Sequence, residues 1–169
     1  MFVNSHIASG YLAGKIAKDD SKWIILWVVA ATIQDIDGLW SDSVAGHHSM
    51  LHTPIFWIIL YGVGWYAGYF MKSSDLQKGS LVFFGGAMVH LITDWLTART
   101  VGIQWFYPLS VTNYFVYPIF PEKGNIPILQ MLIPPYINYY FENKVLAYGE
   151  VAVNLAAFGW LGKTYLGRK

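Results

Sequence analysis

Apolar positions along this chain come in long unbroken runs separated by short polar clusters. No Asp, Glu, Lys or Arg occurs in residues 43–71, 79–93, 100–121, 124–141 or 151–162. A bilayer-crossing helix needs about 20 mainly apolar residues, within a range of about 17–25. Residues 54–71 meet that length, with Thr53 placed to N-cap the helix and Pro54 suited to its first turn. Residues 79–98 and 145–162 are also long enough. The first carries His90 and Asp94, the second Glu150 and Asn154. Residues 23–33 form a shorter run, expected to span only in part. Residues 126–141 are interrupted by Pro127, Pro134 and Pro135 and predict a broken or interfacial segment. Residues 1–18 carry an apolar stripe through Ile7, Ala8, Tyr11, Leu12 and Ile16. Without a basic n-region or a clear cleavage site, they predict a short first helix and no signal peptide. Residues 100–125, rich in aromatics and with Pro108, Pro118 and Pro121, predict a loop at headgroup level, where Trp and Tyr prefer to lie. The predicted fold is all-α: a polytopic helical membrane protein with about four spanning helices plus a short N-terminal helix, one domain over residues 1–169.

Composition agrees with this pattern. Charged residues make up 12% of the 169 positions, against about 25% in soluble domains. The hydrophobic fraction is 55% and mean hydropathy is +0.38. A disordered chain is excluded, and a soluble enzyme is disfavoured because too few charges remain to cover its surface. The net charge of +1, with no basic run longer than Arg168-Lys169, gives no reason to expect nucleic acid as a partner. With no cysteine present, a metal site must use His, Asp or Glu. If the spans alternate in direction, Lys15, Lys18, Lys22, Lys72, Lys78, Lys163, Arg168 and Lys169 share one face, and Arg99, Lys123 and Lys144 the other. The excess of positive charge predicts that the first face is cytoplasmic.

The ionisable residues within this apolar chain gather toward the second face. His6 lies near the N-terminus, Asp35 and Asp37 follow the run at 23–33, and His47, His48 and His52 precede the helix at Pro54. His90 and Asp94 stand four apart and project from one side of their helix, about 40° apart. Each piece has a plain structural alternative. A His-x-x-x-Asp pair can be a helix hydrogen bond, Asp35-Ile36-Asp37 a helix C-terminal turn, and residues 46–52 an interfacial loop. Two aspartates two residues apart cannot share a helix face, so their convergence requires a non-helical backbone. The conjunction points further, because ionisable groups in apolar segments usually mark function, and imidazole with carboxylate binds zinc, manganese or iron.

Five motifs occur in order: His6; Gln34-Asp35-Ile36-Asp37; Gly46-His47-His48-Ser49-Met50-Leu51-His52-Thr53; His90-Leu91-Ile92-Thr93-Asp94-Trp95-Leu96-Thr97; and Tyr107-Pro108-Leu109-Ser110. Together they resemble the inner-membrane metal-dependent hydrolases, a family that also carries a LexA-binding label. The resemblance covers roughly residues 5–125. Gln34 stands where the family pattern has Pro, His48 and Ser49 where it has Arg and Gly, and Leu51 and Thr53 where it has Thr and Ser. The resemblance implies one or two divalent metal ions, zinc first and manganese or iron next. The ligands it implies are His6, Asp35, Asp37, His47, His52, His90 and Asp94, with Asp35 or Asp37 as catalytic base. His48, at the family's Arg position, is expected not to be a ligand. Arg99 is the candidate to hold a substrate phosphate in place of that Arg; taken alone it also reads as a headgroup anchor. The implied activity is hydrolysis of a membrane-associated ester or phosphoester lipid by an inner- or plasma-membrane protein, with membrane lipid as its partner and the site on the extracytoplasmic face. Two rival readings remain. A transporter or metal-ion carrier is kept open by Glu150 and Asn154, and a non-catalytic scaffold by the LexA label.

Overall fold

The computed structural model describes residues 2–48, 50–98, 101–117 and 126–166, and their regular structure is helical except for one isolated antiparallel bridge between Ile103 and Tyr114. Five helices have ten residues or more: α1 (Val3–Ile16), α2 (Ser21–Ala30), α4 (Pro54–Phe70), α5 (Ser74–Thr97) and α7 (Lys144–Leu166). Two shorter ones, α3 (Val44–His47) and α6 (Tyr136–Glu142), lie in the connections, with 3-10 turns at Ile33–Leu39, Met50–His52 and Ile128–Leu132.

Helix ends follow from local chemistry. The Asp20 carboxylate accepts from the N–H groups of Lys22 and Trp23 and starts α2 ahead of the apolar run. Ser73 caps α5 through the Leu76 N–H. That helix therefore begins five residues before the predicted 79, with Asp75 and Lys78 on its first turns. Lys22 pairs with Asp75 at 2.6 Å and Lys78 with Asp19 at 2.8 Å, tying α5 to α2 and to the turn before it. Lys72, at φ 52°, takes the left-handed position after α4, and Ser73 N–H returns to the Gly68 carbonyl at 2.8 Å. This is a Schellman closure, and Lys18 and Asp19 close α1 in the same way.

These ends correct the expectation of about four spanning helices. Among the described residues, two helices are long and apolar enough to cross a bilayer, α5 and α7; at 1.5 Å per residue they reach about 35 Å. α4 is apolar but stops at 17 residues, or about 26 Å, because the Schellman turn ends it. α2 has only ten residues, since the chain tightens into a 3-10 turn before Asp35. Two local expectations also change. Thr53 occupies the N-cap position of α4, but its hydroxyl donates to the Met50 carbonyl at 2.7 Å and caps no N–H. Part of the predicted 46–52 loop is helical, because the Ser43 hydroxyl accepts from the Gly46 N–H and nucleates α3.

α1, α2 and α5 pack mutually, α4 lies on α5, and α7 packs on α1. Small residues set the closest approach. A Cβ added at Gly86 of α5 would fall 2.6 Å from the Ala30 Cβ, and one at Gly10 of α1 would fall 2.9 Å from the Ala31 Cβ. One buried apolar cluster is formed by Trp57, Ala87, Leu91 and Ile103, and Trp23, Ile24, Ala30 and Ala31 are buried on α2 and the turn after it. Polarity is inverted relative to a soluble protein. His6, Gln34, Asp37, His52, His90, Asp94 and Glu150 are buried, while Ile58, Ile59, Val63, Val151, Leu155 and Phe158 face outward. Apolar side chains on the outside of α4 and α7 fit a lipid surrounding.

Candidate metal centre

Four separate segments deliver buried and half-buried polar groups to one end of the bundle. α1 brings His6, the 3-10 turn after α2 brings Asp35 and Asp37, α3 and the turn before α4 bring His47 and His52, and the last turns of α5 bring His90 and Asp94. The 3-10 geometry resolves the aspartate spacing. At three residues per turn, positions two apart point about 120° from each other, so Asp35 and Asp37 grip the histidines from two sides.

Asp94 Oδ1 lies 3.1 Å from His6 Nε2, and Asp94 Oδ2 lies 3.2 Å from His90 Nε2 and 3.6 Å from His52 Nε2. Asp35 Oδ1 is 3.4 Å from His47 Nε2, 3.7 Å from His90 Nε2 and 3.9 Å from His52 Nε2, and Asp35 Oδ2 is 4.0 Å from His6 Nε2. The Nε2 atoms of His52 and His90 are 3.1 Å apart. Six of the seven predicted ligands thus face one cluster, and the seventh, Asp37, stands behind it against the Nδ1 atoms of His47 and His52. One ligand atom each from His6, Asp35, His90 and Asp94 lies within 4.8 Å of the others, and the same holds for His47, His48 and His52. Arg99 lies outside the described residues.

The far side of each ring explains which nitrogen faces inward. His90 Nδ1 lies 2.9 Å from the Ala31 carbonyl, which can only accept, so that nitrogen carries the hydrogen. The Thr93 hydroxyl donates to main-chain carbonyls, so its oxygen accepts from His6 Nδ1 at 3.2 Å. His52 Nδ1 faces the Asp37 carboxylate at 3.3 Å. In the neutral rings, three Nε2 lone pairs then meet one another and the carboxylates of Asp35 and Asp94. Acceptors facing acceptors at 3.1 Å repel unless a cation stands between them. His6 Nε2 and Asp35 Oδ2 are buried with no hydrogen-bond partner. The donor set therefore fits a divalent metal, with the outer face of each imidazole held by an orienting acceptor, as metal-ligating histidines require. Additional protons on the rings are another source of positive charge for the same place.

Electrostatics at the rim follow the same pattern. Burial disfavours charge on His47, but the hydrogen bonds and charges of Asp35 and Asp37 outweigh it and raise the imidazole from 6.5 to about 9. Burial likewise disfavours the Asp37 anion, and the hydrogen bonds from His47 and His52 prevail, lowering it to about 2. Asp35 also ends below its ordinary value, the His47 hydrogen bond and the imidazoles around it outweighing burial.

Three further groups stand at the cluster. His48 stacks on His52 with ring centroids 4.7 Å apart, and its Nδ1 is buried with no hydrogen-bond partner. Thr93 and the Ala31 carbonyl orient His6 and His90. The position of Thr93 one turn before Thr97, on the His90 helix, was a signal available for the first; no side-chain pattern marks a carbonyl. Gln34, at the family's Pro position, is buried and donates to the Ala87 carbonyl at 2.9 Å, pinning the aspartate turn to α5.

The chain matches, over residues 1–166, the family model described as YdjM inner membrane protein. The chain belongs to that family. The match covers every segment that contributes to the cluster and extends over α7, and an inner-membrane family agrees with the two spanning-length helices and the outward apolar surface. No curated protein and no solved structure matches the chain.

Proposed function

We propose that this YdjM-family chain is a metal-dependent hydrolase acting on an ester or phosphoester of a membrane-associated lipid. The observation that carries the reading is the meeting of three imidazole Nε2 atoms with the Asp35 and Asp94 carboxylates at one buried point, where His6 Nε2 and Asp35 Oδ2 have no hydrogen-bond partner. His6, Asp35, His90 and Asp94 would hold the metal, with His52 beside them. When bound, a zinc, manganese or iron ion would polarise the scissile oxygen and lower the pKa of a water toward about 7. Asp35 is the candidate base through Oδ2, which has no hydrogen-bond partner, while Oδ1, 3.7 Å from His90 Nε2, would be the oxygen that ligates. Asp37 touches the outer nitrogens of His47 and His52, so its role here is to orient those rings.

A lipid substrate is supported by the surroundings of the cluster. It lies at the end of the helices away from Lys15, Lys18, Lys22, Lys72, Lys78 and Lys163, and the positive-inside rule would make that far end cytoplasmic and the cluster end extracytoplasmic. The transporter reading loses its main feature. Glu150 Oε2 accepts from the Ser5 hydroxyl at 3.0 Å and the Phe2 N–H at 3.4 Å, and Asn154 donates to Ser5 at 2.8 Å. These groups fasten α7 to α1.

The test is turnover of a lipid phosphoester by detergent-purified protein. Chelation should abolish release of the free alcohol, added zinc or manganese should restore it, and the Asp35→Asn variant should lose about 10²-fold or more. Absence of chelator-sensitive turnover on both lipid phosphoesters and carboxylic esters by metal-loaded protein would overturn the reading.

A further inference from the structure

We infer that the site binds a second divalent cation through His47, His48 and His52, with Asp35 standing between it and the first. The inference rests on the metal-centre reading above and extends it by assigning His48 and the ion count. Three observations support it.

The first is geometric. A ring nitrogen from each of the three histidines lies within 4.8 Å of the others, close enough for small side-chain shifts to close on an ion with bonds of about 2.0–2.1 Å. Three imidazoles are a sufficient protein ligand set for a hydrolytic zinc with an open fourth position. The second is His48 Nδ1, which is buried and has no hydrogen-bond partner. A ring kept at the cluster by stacking on His52 (4.7 Å, 13° between planes) and edge-on contact with His47 (5.3 Å) presents a nitrogen with nothing else to bind.

The third is the position of Asp35. Its Oδ1 lies 3.4 Å from His47 and 3.9 Å from His52 on one side and 3.7 Å from His90 on the other. One carboxylate therefore addresses both groups, as in sites where two ions about 3.5–4 Å apart share a ligand. Seven side chains are more than one ion can use. Divided as His6, Asp35, His90 and Asp94 on one side and His47, His48 and His52 on the other, they supply two complete sets. The segment carrying the trio is short, so binding there would fasten the α3–α4 connection over the cluster.

The experiment is zinc stoichiometry of the full chain in detergent, by equilibrium dialysis and elemental analysis, with helicity checked by circular dichroism. Wild type should hold two zinc ions per chain, His48→Ala one, and His48→Cys, which retains a ligand, two. One zinc in wild type, unchanged in His48→Ala, would overturn the second site and leave the first intact. Two in both wild type and His48→Ala would overturn the assignment of His48. No zinc in wild type would overturn both this inference and the metal-centre reading.

Discussion

His90 shows how one side chain becomes a ligand. It is fully buried, its Nδ1 is held by the Ala31 carbonyl at 2.9 Å, and its Nε2 meets Asp94 and His52. His90→Ala is expected to abolish metal binding in a protein that remains helical and extractable, measured by elemental analysis beside circular dichroism. The rim pair gives a pH prediction for metal-free protein. His47, raised to about 9, contributes stability that is complete below 6.5 and lost as pH rises through about 9. Asp37, lowered to about 2, contributes stability present above 3.8 and lost as pH falls through about 2. The thermal midpoint of chelated protein should therefore be highest between about pH 4 and 6.5, and His47→Ala should flatten its alkaline side. An alkaline limb identical in wild type and variant would contradict the His47 assignment. At this scale the candidate ligands were readable from the sequence, because ionisable residues stand out in apolar runs. His48 was set aside because its position in a motif was weighed, and its contacts depend on how α3 folds.

At the scale of elements, the site is built by close helix approach. Gly86 lets α5 come near enough to α2 for His90 to reach the Ala31 carbonyl. Gly86→Ala would drive a methyl to 2.6 Å from the Ala30 Cβ; the expected cost is about 1–3 kcal/mol, seen as a lower thermal midpoint with weakened metal retention. Glu150→Ala would leave the buried Ser5 hydroxyl and the Phe2 N–H without their acceptor, at about 1–3 kcal/mol. Protease sensitivity between α6 and α7 should rise, whereas Leu155→Ala on the outward face should change little. The sequence predicted that residues 54–71, 79–98 and 145–162 are helical, and each coincides with a long helix. Their ends were less legible. The Schellman turn at Lys72 and the Ser73 cap are set by main-chain geometry and by pairing with Lys22 and Asp19, which apolar runs do not encode. The aspartate turn was the least accessible, since its 3-10 backbone is fixed by packing of Gln34 on α5.

Across the whole molecule, the arrangement is a bundle with a His/Asp cluster inside and large apolar side chains on the outside of α4 and α7. Family membership and two spanning-length helices agree with residence in the inner membrane. With no native cysteine, a single cysteine at Asp42, on the exposed connection beside the cluster, reports topology directly. It should react with an impermeant thiol reagent in spheroplasts; labelling only after lysis would invert the proposed orientation. The membrane class was legible from composition, but the number of spans was not, because charge-free length does not reveal where a helix is capped. The central claim concerns what lies among His6, Asp35, His52, His90 and Asp94. The most direct measurement is elemental analysis of the detergent-purified full chain from metal-replete cells, beside His90→Ala prepared in parallel. At least one equivalent of zinc, manganese or iron in wild type and none in the variant is the expected result. A folded wild-type protein that contains no divalent metal and takes up none on dialysis would mean that the cluster is held by protons alone, and would contradict the metal centre.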